Sequence, residues 1–343
     1  LNVLLIVVVL RTQGDSITPG TLLALLWIVA VFMTRPFRQM PWFFTFVFDA
    51  WTSLKRLSEL LSLQNREPSP RALEFQKLST LASPDPALCV RGLNLEINGQ
   101  ALLHDIHFDV RLGEFLAIVG EVGSGKSLLL YSLMGETGAT FQDYKIGEND
   151  ARLLPLDQLR QFFTFVPQEG FIMSATLREN VAFQYHAGPE HDDAIKTSLH
   201  RAQFDLDKER VEGGLETEIG ERGVNLSGGQ KQRVSLARVD YYPSPIVLLD
   251  DCLSAVDVDT EKKLIHDLLD GAWKNRSRLL VTHRLSVLKQ VDRILFLEQG
   301  RLKAEGTFET LLRESPEFRE YTASLERNEA ASVQPAPPLP TEE

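Results

Sequence analysis

The sequence predicts an α-helical membrane segment followed by an α/β domain. The first prediction rests on residues 17–34, an uncharged stretch of 18 residues that approaches the length of a transmembrane helix. The second rests on the succession EFLAIV, GEVGSG and KSLLLYSLMG, because strand, glycine-rich turn and helix form the mononucleotide-binding unit. Further strands, IVLLD and RLLVT, follow a more helical stretch at about 174–240 and indicate an α/β core with a helical subdomain.

Composition excludes some classes of protein. The chain has 343 residues and a formal net charge of −11, which argues against a nucleic-acid-binding role, where a basic face is expected. Its two cysteines, Cys89 and Cys252, are too few for a disulfide framework, and we interpret them as buried, reduced thiols. No nucleic-acid partner is therefore expected.

The amino-terminal residues predict membrane helices. The chain starts with LNVLLIVVVL, without an initiator methionine or a basic segment, so we interpret it as a fragment that starts within a span. Residues 17–34 predict a further span; the alternative is a buried core helix, although few soluble helices are apolar on every side for this length. A helix continuing to Leu61 would measure about 65 Å and exceed a bilayer. We expect it to project beyond the membrane, with a kink near Pro36 or Pro41.

Basic residues after the apolar stretch set the predicted orientation. Lys55 and Arg56 place the projecting end of the helix in the cytoplasm by the positive-inside rule. Proline-rich composition predicts a linker after this helix and, with acidic residues, disorder at the end of the chain. The predicted organisation is a membrane segment (1–65), a linker (66–86), the α/β domain (87–325) and a disordered tail (326–343).

The strongest motif is GEVGSGKS at residues 120–127, which satisfies the pattern G-x-x-x-x-G-K-[ST]. Its glycines let backbone N–H groups surround the β- and γ-phosphates of a nucleotide. Lys126 would bring a positive charge to those phosphates, and Ser127 a hydroxyl to Mg²⁺. A strand before the motif and a helix after it supply the context that this interpretation needs. The predicted nucleotide-binding residues are Gly120, Glu121, Val122, Gly123, Ser124, Gly125, Lys126 and Ser127.

An acidic residue at the end of an apolar strand complements this motif. Asp250 ends IVLLD and is predicted to hold Mg²⁺ through water, as the Walker B carboxylate does in P-loop proteins. By itself it would be an ordinary strand-end aspartate or a helix cap. Asp251 follows it directly, so the strand delivers two carboxylates to the same place.

The string NLSGGQKQRVSLAR, residues 225–238, predicts a second anion site. Ser227 can cap a helix that begins around Gln230, and the glycines between them expose backbone N–H groups. With this string the chain resembles the ATP-binding cassette (ABC) transporter family, in which LSGGQ is the signature motif. The resemblance covers nearly the whole chain. Residues 1–65 resemble the last spans of an exporter transmembrane domain, and residues 87–325 resemble its nucleotide-binding domain.

The resemblance implies ATP and Mg²⁺ as cofactors and gives roles to further residues. Gln168 matches the Q-loop, which senses Mg²⁺ and faces the membrane domain. His283 matches the H-loop histidine, which contacts the γ-phosphate and helps to place the attacking water. The predicted catalytic residues are Asp251, His283 and Gln168. The predicted metal ligands are Ser127, Gln168 and Asp250.

The resemblance also implies a dimer. In this family two nucleotide-binding domains pack head to tail, so each ATP lies between one P-loop and the signature of the partner. The signature residues that would act on the partner's ATP are Leu226, Ser227, Gly228, Gly229 and Gln230. The D-loop at the dimer interface matches Ser254, Ala255, Val256 and Asp257. ETEIGERG, residues 216–223, matches the exporter loop that contacts the membrane domain.

Within the family the chain most resembles the first nucleotide-binding domain of the C-subfamily (multidrug-resistance-associated) transporters, on the phrases VPQEGFIMSATLREN and LLDDCLSAVD. In those domains Asp follows the Walker B Asp, where an active site has Glu. Asp251 is one methylene shorter than Glu, and a shift near 1 Å can cost about 100-fold in rate. No aromatic residue stands near Ile97, where the family stacks one on adenine, so apolar contact would replace stacking there.

These features predict an ABC half-transporter that uses ATP binding and hydrolysis to export a substrate, with a slow ATP site of its own. The alternative is a regulatory or gating subunit that binds ATP and hydrolyses little of it. A soluble ABC ATPase of the DNA-repair type is disfavoured by the apolar stretch and by the lack of heptad arms. The expected partners are a second half-transporter with a competent Walker B Glu in a heterodimer, membrane lipid and an unidentified substrate. The expected location is the plasma membrane or the bacterial inner membrane, with the nucleotide-binding domain in the cytoplasm.

Overall fold

The computed structural model describes residues 18–62, 87–209, 213–220 and 224–332, together with the single positions 7, 8, 11 and 211. The chain divides into two compact units, Leu1–Glu67 and Pro68–Glu343. Four predicted features lie wholly or partly outside the described residues: the span at the start of the chain (1–10), the linker, the last part of the tail (333–343) and the end of the membrane-domain contact loop (221–223).

The described part of the first unit is helical from Pro19 to Ser62. It consists of α1 (Pro19–Ile28), a π-helical stretch (Val29–Thr34) and α2 (Arg35–Ser62). Thr18 caps α1, because its side-chain oxygen accepts a hydrogen bond from the Thr21 N–H. Pro41 lies inside α2. Within the described ranges, no helix combines the length and the hydropathy that crossing a membrane requires.

Two sheets organise the second unit. Its strands are β1 (Leu88–Ile97), β2 (Gln100–Val110), β3 (Phe115–Val119), β4 (Asp143–Ile146), β5 (Asn149–Asp150), β6 (Phe163–Val166), β7 (Ala175–Thr176), β8 (Glu218–Ile219), β9 (Ile246–Asp250), β10 (Ser277–Val281), β11 (Arg293–Glu298) and β12 (Arg301–Gly306). The larger sheet has the order β12-β11-β3-β10-β9-β6, in which only the β11–β12 pair is antiparallel. The smaller sheet, β2-β1-β4-β5, is antiparallel throughout. The pair β7–β8 is separate.

Helices cover the larger sheet. They are α3 (Lys126–Leu133), α4 (Leu156–Gln161), α5 (Leu177–Ala182), α6 (Asp192–Arg201), α7 (Gly228–Tyr241), α8 (Val258–Leu264), α9 (Leu285–Leu288), α10 (Phe308–Glu314) and α11 (Pro316–Ser332). A π-helical stretch, Ile265–Ala272, continues α8. Short 3₁₀ turns lie at Ala151–Leu153, Pro189–His191 and Gly214–Glu216.

The core lies on both faces of the parallel strands. In β3 every residue is buried, and its side chains alternate between two hydrophobic layers. Phe115 and Val119 pack in the layer that includes α5, α6 and α7, while Ile118 packs in the layer that includes α3 and the smaller sheet. Burial on both faces explains the nearly continuous apolar strands, as expected of a parallel sheet. The predicted α/β core with a helical subdomain between β6 and β9 is confirmed.

The last helix differs from the sequence prediction. α11 continues to Ser332, although we predicted a disordered tail from residue 326 onward. Three apolar residues of α11, namely Phe318, Tyr321 and Leu325, are buried in the core. This packing anchors the helix, which continues beyond these buried residues to Ser332.

Candidate nucleotide-binding site

The parallel sheet brings three sequence motifs to one edge. β3, β10 and β9 are adjacent, parallel strands. The carboxyl ends of parallel strands meet at the same edge of a sheet, which is where such sheets bind ligands. Gly120 follows β3, Asp251 follows β9 and His283 lies just after β10. The predicted P-loop, the two aspartates and the H-loop histidine therefore lie together, although they are far apart in sequence.

The phosphate loop needs glycine at two positions for different reasons. Gly123 and Gly125 both have left-handed backbone conformations, with φ of 83° and 100°. A Cβ atom on Gly125 would lie 2.5 Å from Cδ2 of Leu103, whereas one on Gly123 would meet no atom within 4 Å. Gly125 therefore allows β2 to approach the loop. Gly123 faces open space, which leaves room for a bound group beside the backbone.

Lys126 lies at the centre of the loop. Its side chain is buried, and its Nζ donates hydrogen bonds to the carbonyl oxygens of Gly120 (2.9 Å) and Glu121 (2.7 Å). Burial lowers the pKa of Lys126, and the charges of Asp250 and Asp251 oppose that shift. Carbonyl oxygens thus accept hydrogen bonds from the ammonium group, which could donate to phosphate oxygens in the same way.

Ser127 and Asp250 form the pair that the metal prediction requires. The Ser127 hydroxyl donates to Oδ1 of Asp250 at 3.0 Å, and Asp250 is only 4% exposed. Burial raises the pKa of Asp250, while the Ser127 hydrogen bond and the Lys126 charge lower it. Within the described residues, no three His, Cys, Asp or Glu side chains could hold a metal alone. Mg²⁺ does not need such a cluster, because it prefers one or two protein oxygens together with phosphates and water. The pair fits that preference.

The structure does not bring Gln168 into this pair. Gln168 follows β6 and is exposed, and among the described residues no hydrogen bond joins its side chain to Ser127 or Asp250. Its carbonyl oxygen instead accepts a hydrogen bond from Nε2 of Gln232, at 2.8 Å. The backbone of Gln168 is therefore fixed, while its side chain faces solvent.

Asp251 has an unusual backbone conformation. Its φ is 45°, in the left-handed region. Its N–H donates to the carbonyl of Val281 (2.9 Å), and its carbonyl accepts from the Ser254 hydroxyl (2.8 Å). Burial, followed by the charge of Asp250, raises the pKa of Asp251 to about 6. The two adjacent carboxylates thus differ in both backbone geometry and environment, which the sequence did not predict.

His283 contacts a residue that sequence reasoning missed. Its Nδ1 lies 3.1 Å from the hydroxyl of Tyr321, which belongs to α11. Burial and then the Lys126 charge lower the pKa of His283, so the imidazole is neutral near pH 7. Tyr321 stands in no recognisable motif, and only the packing of α11 brings it to the site.

The signature string forms a capped helix end, as predicted. Ser227 is the N-cap of α7: its Oγ accepts from the Gln230 N–H (3.2 Å), and its N–H donates to Oε1 of Gln230 (2.6 Å). This is a capping box. Leu226 is buried, whereas Ser227 and Gly228 are exposed. The amino end of α7 therefore presents free N–H groups and the positive end of the helix dipole to solvent.

The D-loop residues lie against the signature helix. Asp257 caps α8, with Oδ1 accepting from the Thr260 N–H at 3.0 Å. A Cβ on Gly229 would lie 2.8 Å from the Ala255 carbonyl oxygen, so glycine permits the close contact between the two segments. The buried Gln232 accepts from the Ala255 N–H (3.4 Å) in addition to its bond to the Q-loop. Sequence reasoning missed this bridging side chain.

Ile97 ends β1 and is 41% exposed. It pairs with Gln100 across the tight turn to β2. An aliphatic side chain in this position offers contact area without the stacking geometry of an aromatic ring. Whether it meets adenine stays a prediction.

A phosphate loop at the carboxyl edge of a parallel sheet, with a serine–aspartate pair beside it, defines a P-loop NTPase domain. Residues 103–254 match the family model described as ABC transporter. The chain belongs to the ABC transporter family, as the motifs predicted.

Two relatives represent the C-subfamily. The chain is 34% identical over 292 residues to ABC transporter C family member 8 of Dictyostelium discoideum, covering 84% of this chain and 17% of the relative. It is 33% identical over 298 residues to human ATP-binding cassette sub-family C member 3, covering 86% of this chain and 18% of the relative. The likeness to C-subfamily transporters is therefore confirmed, and the chain spans less than a fifth of these two proteins.

A solved structure supports the fold. The chain is similar to a bacterial Atm1-family ABC exporter with ATP bound, with a TM-score of 0.68 and 26% identity. The match covers 90% of this chain and 53% of that exporter chain. The bound ATP belongs to that exporter.

We predict that Gly125→Ala destabilises the domain more than Gly123→Ala. Both substitutions place a side chain at positive φ, so that shared strain cancels in the comparison. Only Gly125→Ala forces a methyl group against Leu103, and such overpacking should cost about 1–3 kcal/mol more. Thermal and denaturant unfolding of the two variants measure the difference. Equal losses of stability in the two variants would show that the contact between position 125 and Leu103 of β2 does not determine the cost of the substitution.

We predict that Asp251→Asn stabilises the nucleotide-free, Mg²⁺-free protein at neutral pH. The folded state raises this pKa from 3.8 to about 6, so ionisation costs stability increasingly as the pH rises through that interval. Asn avoids this cost, so the melting temperature should rise by about 2–4 °C at about pH 7.5 and by roughly a third as much at about pH 4.5. Asp257→Asn is the control, because hydrogen bonds to the Thr260 backbone and side chain lower the pKa of Asp257. Ionisation of Asp257 stabilises the folded state, so this substitution should not raise the melting temperature at the higher pH. A gain from Asp251→Asn that is equal at both pH values would contradict the prediction.

Proposed function

We propose that this chain is part of an ABC exporter half-transporter that couples ATP binding and hydrolysis to transport. The observation that carries this proposal is the arrangement of Lys126, Ser127 and Asp250 at one sheet edge, in a chain of the ABC transporter family. One relative is named "Probable multidrug resistance ABC transporter ATP-binding/permease protein YheI" of Bacillus subtilis, 37% identical over 223 residues. That match covers 64% of this chain and 37% of that protein.

ATP would bind with its phosphates on the loop 120–127. Lys126 would exchange its hydrogen bonds to loop carbonyls for bonds to phosphate oxygens. Ser127 and Asp250 would hold Mg²⁺, which neutralises phosphate charge when bound. The adjacent carboxylate, Asp251, would act on the attacking water. His283, whose imidazole is neutral, would donate a hydrogen bond to the terminal phosphate.

The partner would be a second ABC half. The amino end of α7 is exposed, with Ser227 and Gly228 at the surface, and in the head-to-tail arrangement it would meet the partner's ATP. Its N–H groups and helix dipole favour a phosphate in that position. Gln168 and residues 216–223 would face the membrane domain, and the first unit would belong to that domain. The chain would thus lie at a membrane and contact lipid, with the nucleotide-binding domain in the cytoplasm and the transported substrate set by the membrane helices.

We propose that the chain's own ATP site is slow and that the working assembly is a heterodimer. Asp251 is shorter than Glu and would retract its carboxylate by about 1.5 Å, the length of one carbon–carbon bond. A homodimer would carry two weakened sites. A heterodimer keeps one competent site, formed by the partner's P-loop and this chain's signature. The second candidate function is that of a gating subunit. A gating subunit would have the same slow ATP site as the half-transporter, but its ATP turnover would not drive transport.

We predict that Asp251→Glu raises the ATPase rate of the assembled transporter. The longer side chain returns the carboxylate to the attacking water, and the gain at this site is up to about 100-fold. Asp251→Asn is the matched control, because it keeps the short side chain and removes the charge. Steady-state phosphate release measures the effect. An unchanged rate in Asp251→Glu would show that this position does not limit turnover.

We predict that Lys126→Ala weakens nucleotide binding to this chain by at least about tenfold and spares turnover at the partner site. The substitution removes a buried charge that would contact two phosphates. Photolabelling with an azido-ATP analogue, with the two polypeptides resolved on a gel, measures binding to each chain separately. Lys145→Ala on β4 is the control, since Lys145 forms an ion pair with Asp143 of the same strand. Complete loss of ATPase activity would rule out two independent sites.

A further inference from the structure

A phenol from the last helix reaches the nucleotide site. Tyr321 lies on α11, outside every motif discussed above, and is only 7% exposed. Its hydroxyl lies 3.1 Å from Nδ1 of His283. This hydroxyl therefore joins the last helix to the loop after β10.

The position of this hydroxyl is fixed by packing. The ring of Tyr321 packs on Phe296 of β11, with 5.5 Å between ring centroids, and lies beside Phe318 of its own helix. Phe318 is fully buried, and its N–H donates to the Ser315 hydroxyl at 3.2 Å. A ring with this many contacts has few alternative rotamers, so packing fixes the position of the hydroxyl.

The hydrogen bond between Tyr321 and His283 has a direction. Tyr321 is buried, so its O–H needs an acceptor within the protein, and Nδ1 of His283 lies within hydrogen-bond distance of it. We therefore assign the phenol as the donor and Nδ1 as the acceptor. The histidine is neutral near pH 7, because burial and the Lys126 charge lower its pKa. A neutral imidazole that accepts at Nδ1 carries its proton on Nε2.

We propose that Tyr321 is a positioning residue that fixes His283 as the Nε2–H tautomer, so that Nε2 donates a hydrogen bond to the terminal phosphate of a bound nucleoside triphosphate. This inference rests on the proposed function of the site. Tyr321 itself would touch neither the nucleotide nor the metal. It would act through His283, and it would make the last helix part of the apparatus that distinguishes ATP from ADP.

The tautomer of His283 should affect the binding of ATP and of ADP differently. ADP lacks the phosphate that His283 would contact, so a defect in the histidine tautomer should weaken ATP binding and leave ADP binding unchanged. A general loss of structure would weaken both nucleotides. The ratio of the two affinities therefore separates positioning from stability, without any need for turnover at a slow site.

The test uses the full chain in its assembled complex, purified from membranes. An azido-ATP photolabel on this polypeptide is competed with unlabelled MgATP or MgADP. Tyr321→Phe keeps the ring that packs on Phe296 and loses only the hydroxyl. We expect its affinity for ATP to fall by about 3- to 10-fold, the effect of one hydrogen bond, with no change for ADP. Tyr144→Phe is the matched control: its buried hydroxyl donates to the Leu133 carbonyl at 2.6 Å, and its loss should leave the ratio unchanged.

A double substitution tests whether Tyr321 acts through His283. In a His283→Ala background, Tyr321→Phe should have no further effect on the ATP-to-ADP ratio. An equal loss in both backgrounds would overturn the proposal, as would an unchanged ratio in Tyr321→Phe when His283→Ala lowers it. If the wild-type chain binds neither nucleotide, or if Lys126→Ala binds ATP as well as wild type, the proposed function fails instead.

The tautomer itself is observable. In ¹⁵N-histidine-labelled protein, the His283 signal, assigned by its loss in His283→Gln, should show a protonated Nε2 and an unprotonated Nδ1. Tyr321→Phe should shift this signal toward a mixture of tautomers. A wild-type signal from the Nδ1–H tautomer would overturn the proposal even if Tyr321→Phe does not fold.

Discussion

The nucleotide site depends on one buried ammonium group. Lys126 is withdrawn from water, and its charge is tolerated because Gly120 and Glu121 turn their carbonyl oxygens toward it and two carboxylates lie nearby. Those carbonyls bend back only because the loop contains glycines at positive φ. The loop, in turn, lies beside Asp250 only because β3 and β9 flank β10 in one parallel sheet. The burial of the Lys126 charge therefore depends on the conformation of the loop, and the position of the loop beside Asp250 depends on the order of the strands.

Hydrogen bonds connect the loops around this ammonium group. Arg284 directly follows His283, and its guanidinium donates to the carbonyl oxygens of Ser254 (3.1 Å) and Val256 (3.0 Å) in the D-loop. The buried carboxylate of Glu261 forms an ion pair with Arg284 and so holds it in that orientation. Gln232 joins the D-loop to the backbone after β6 in the same way. A displacement of the D-loop at a dimer interface would therefore be transmitted to the histidine loop and to the Q-loop.

The sequence predicted the part of this arrangement that local patterns encode. Apolar runs that end in glycine or aspartate predicted the phosphate loop at Gly120 and the Walker B residue Asp250, and the resemblance to ABC transporters supplied His283. Tyr321 and Gln232 could not be predicted in the same way. Tyr321 lies in a helix without a motif, and Gln232 follows the signature residues 226–230 without being one of them. Packing across the sheet or between helices brings each side chain to its partners. The end of α11 was misplaced for a related reason: buried residues earlier in the helix stabilise polar turns that look disordered on composition alone.

The backbone of Asp251 bears on the difference between aspartate and glutamate after the Walker B position. With φ at 45°, the residue adopts a conformation that Asp tolerates better than most side chains, because a short polar group can hydrogen-bond locally. A longer side chain at the same φ gains reach and accepts more backbone strain. The carboxylate of Asp251 also stays in a buried region beside Asp250, where its charge is unfavourable. A short aspartate at this position thus reduces backbone strain and gives up reach.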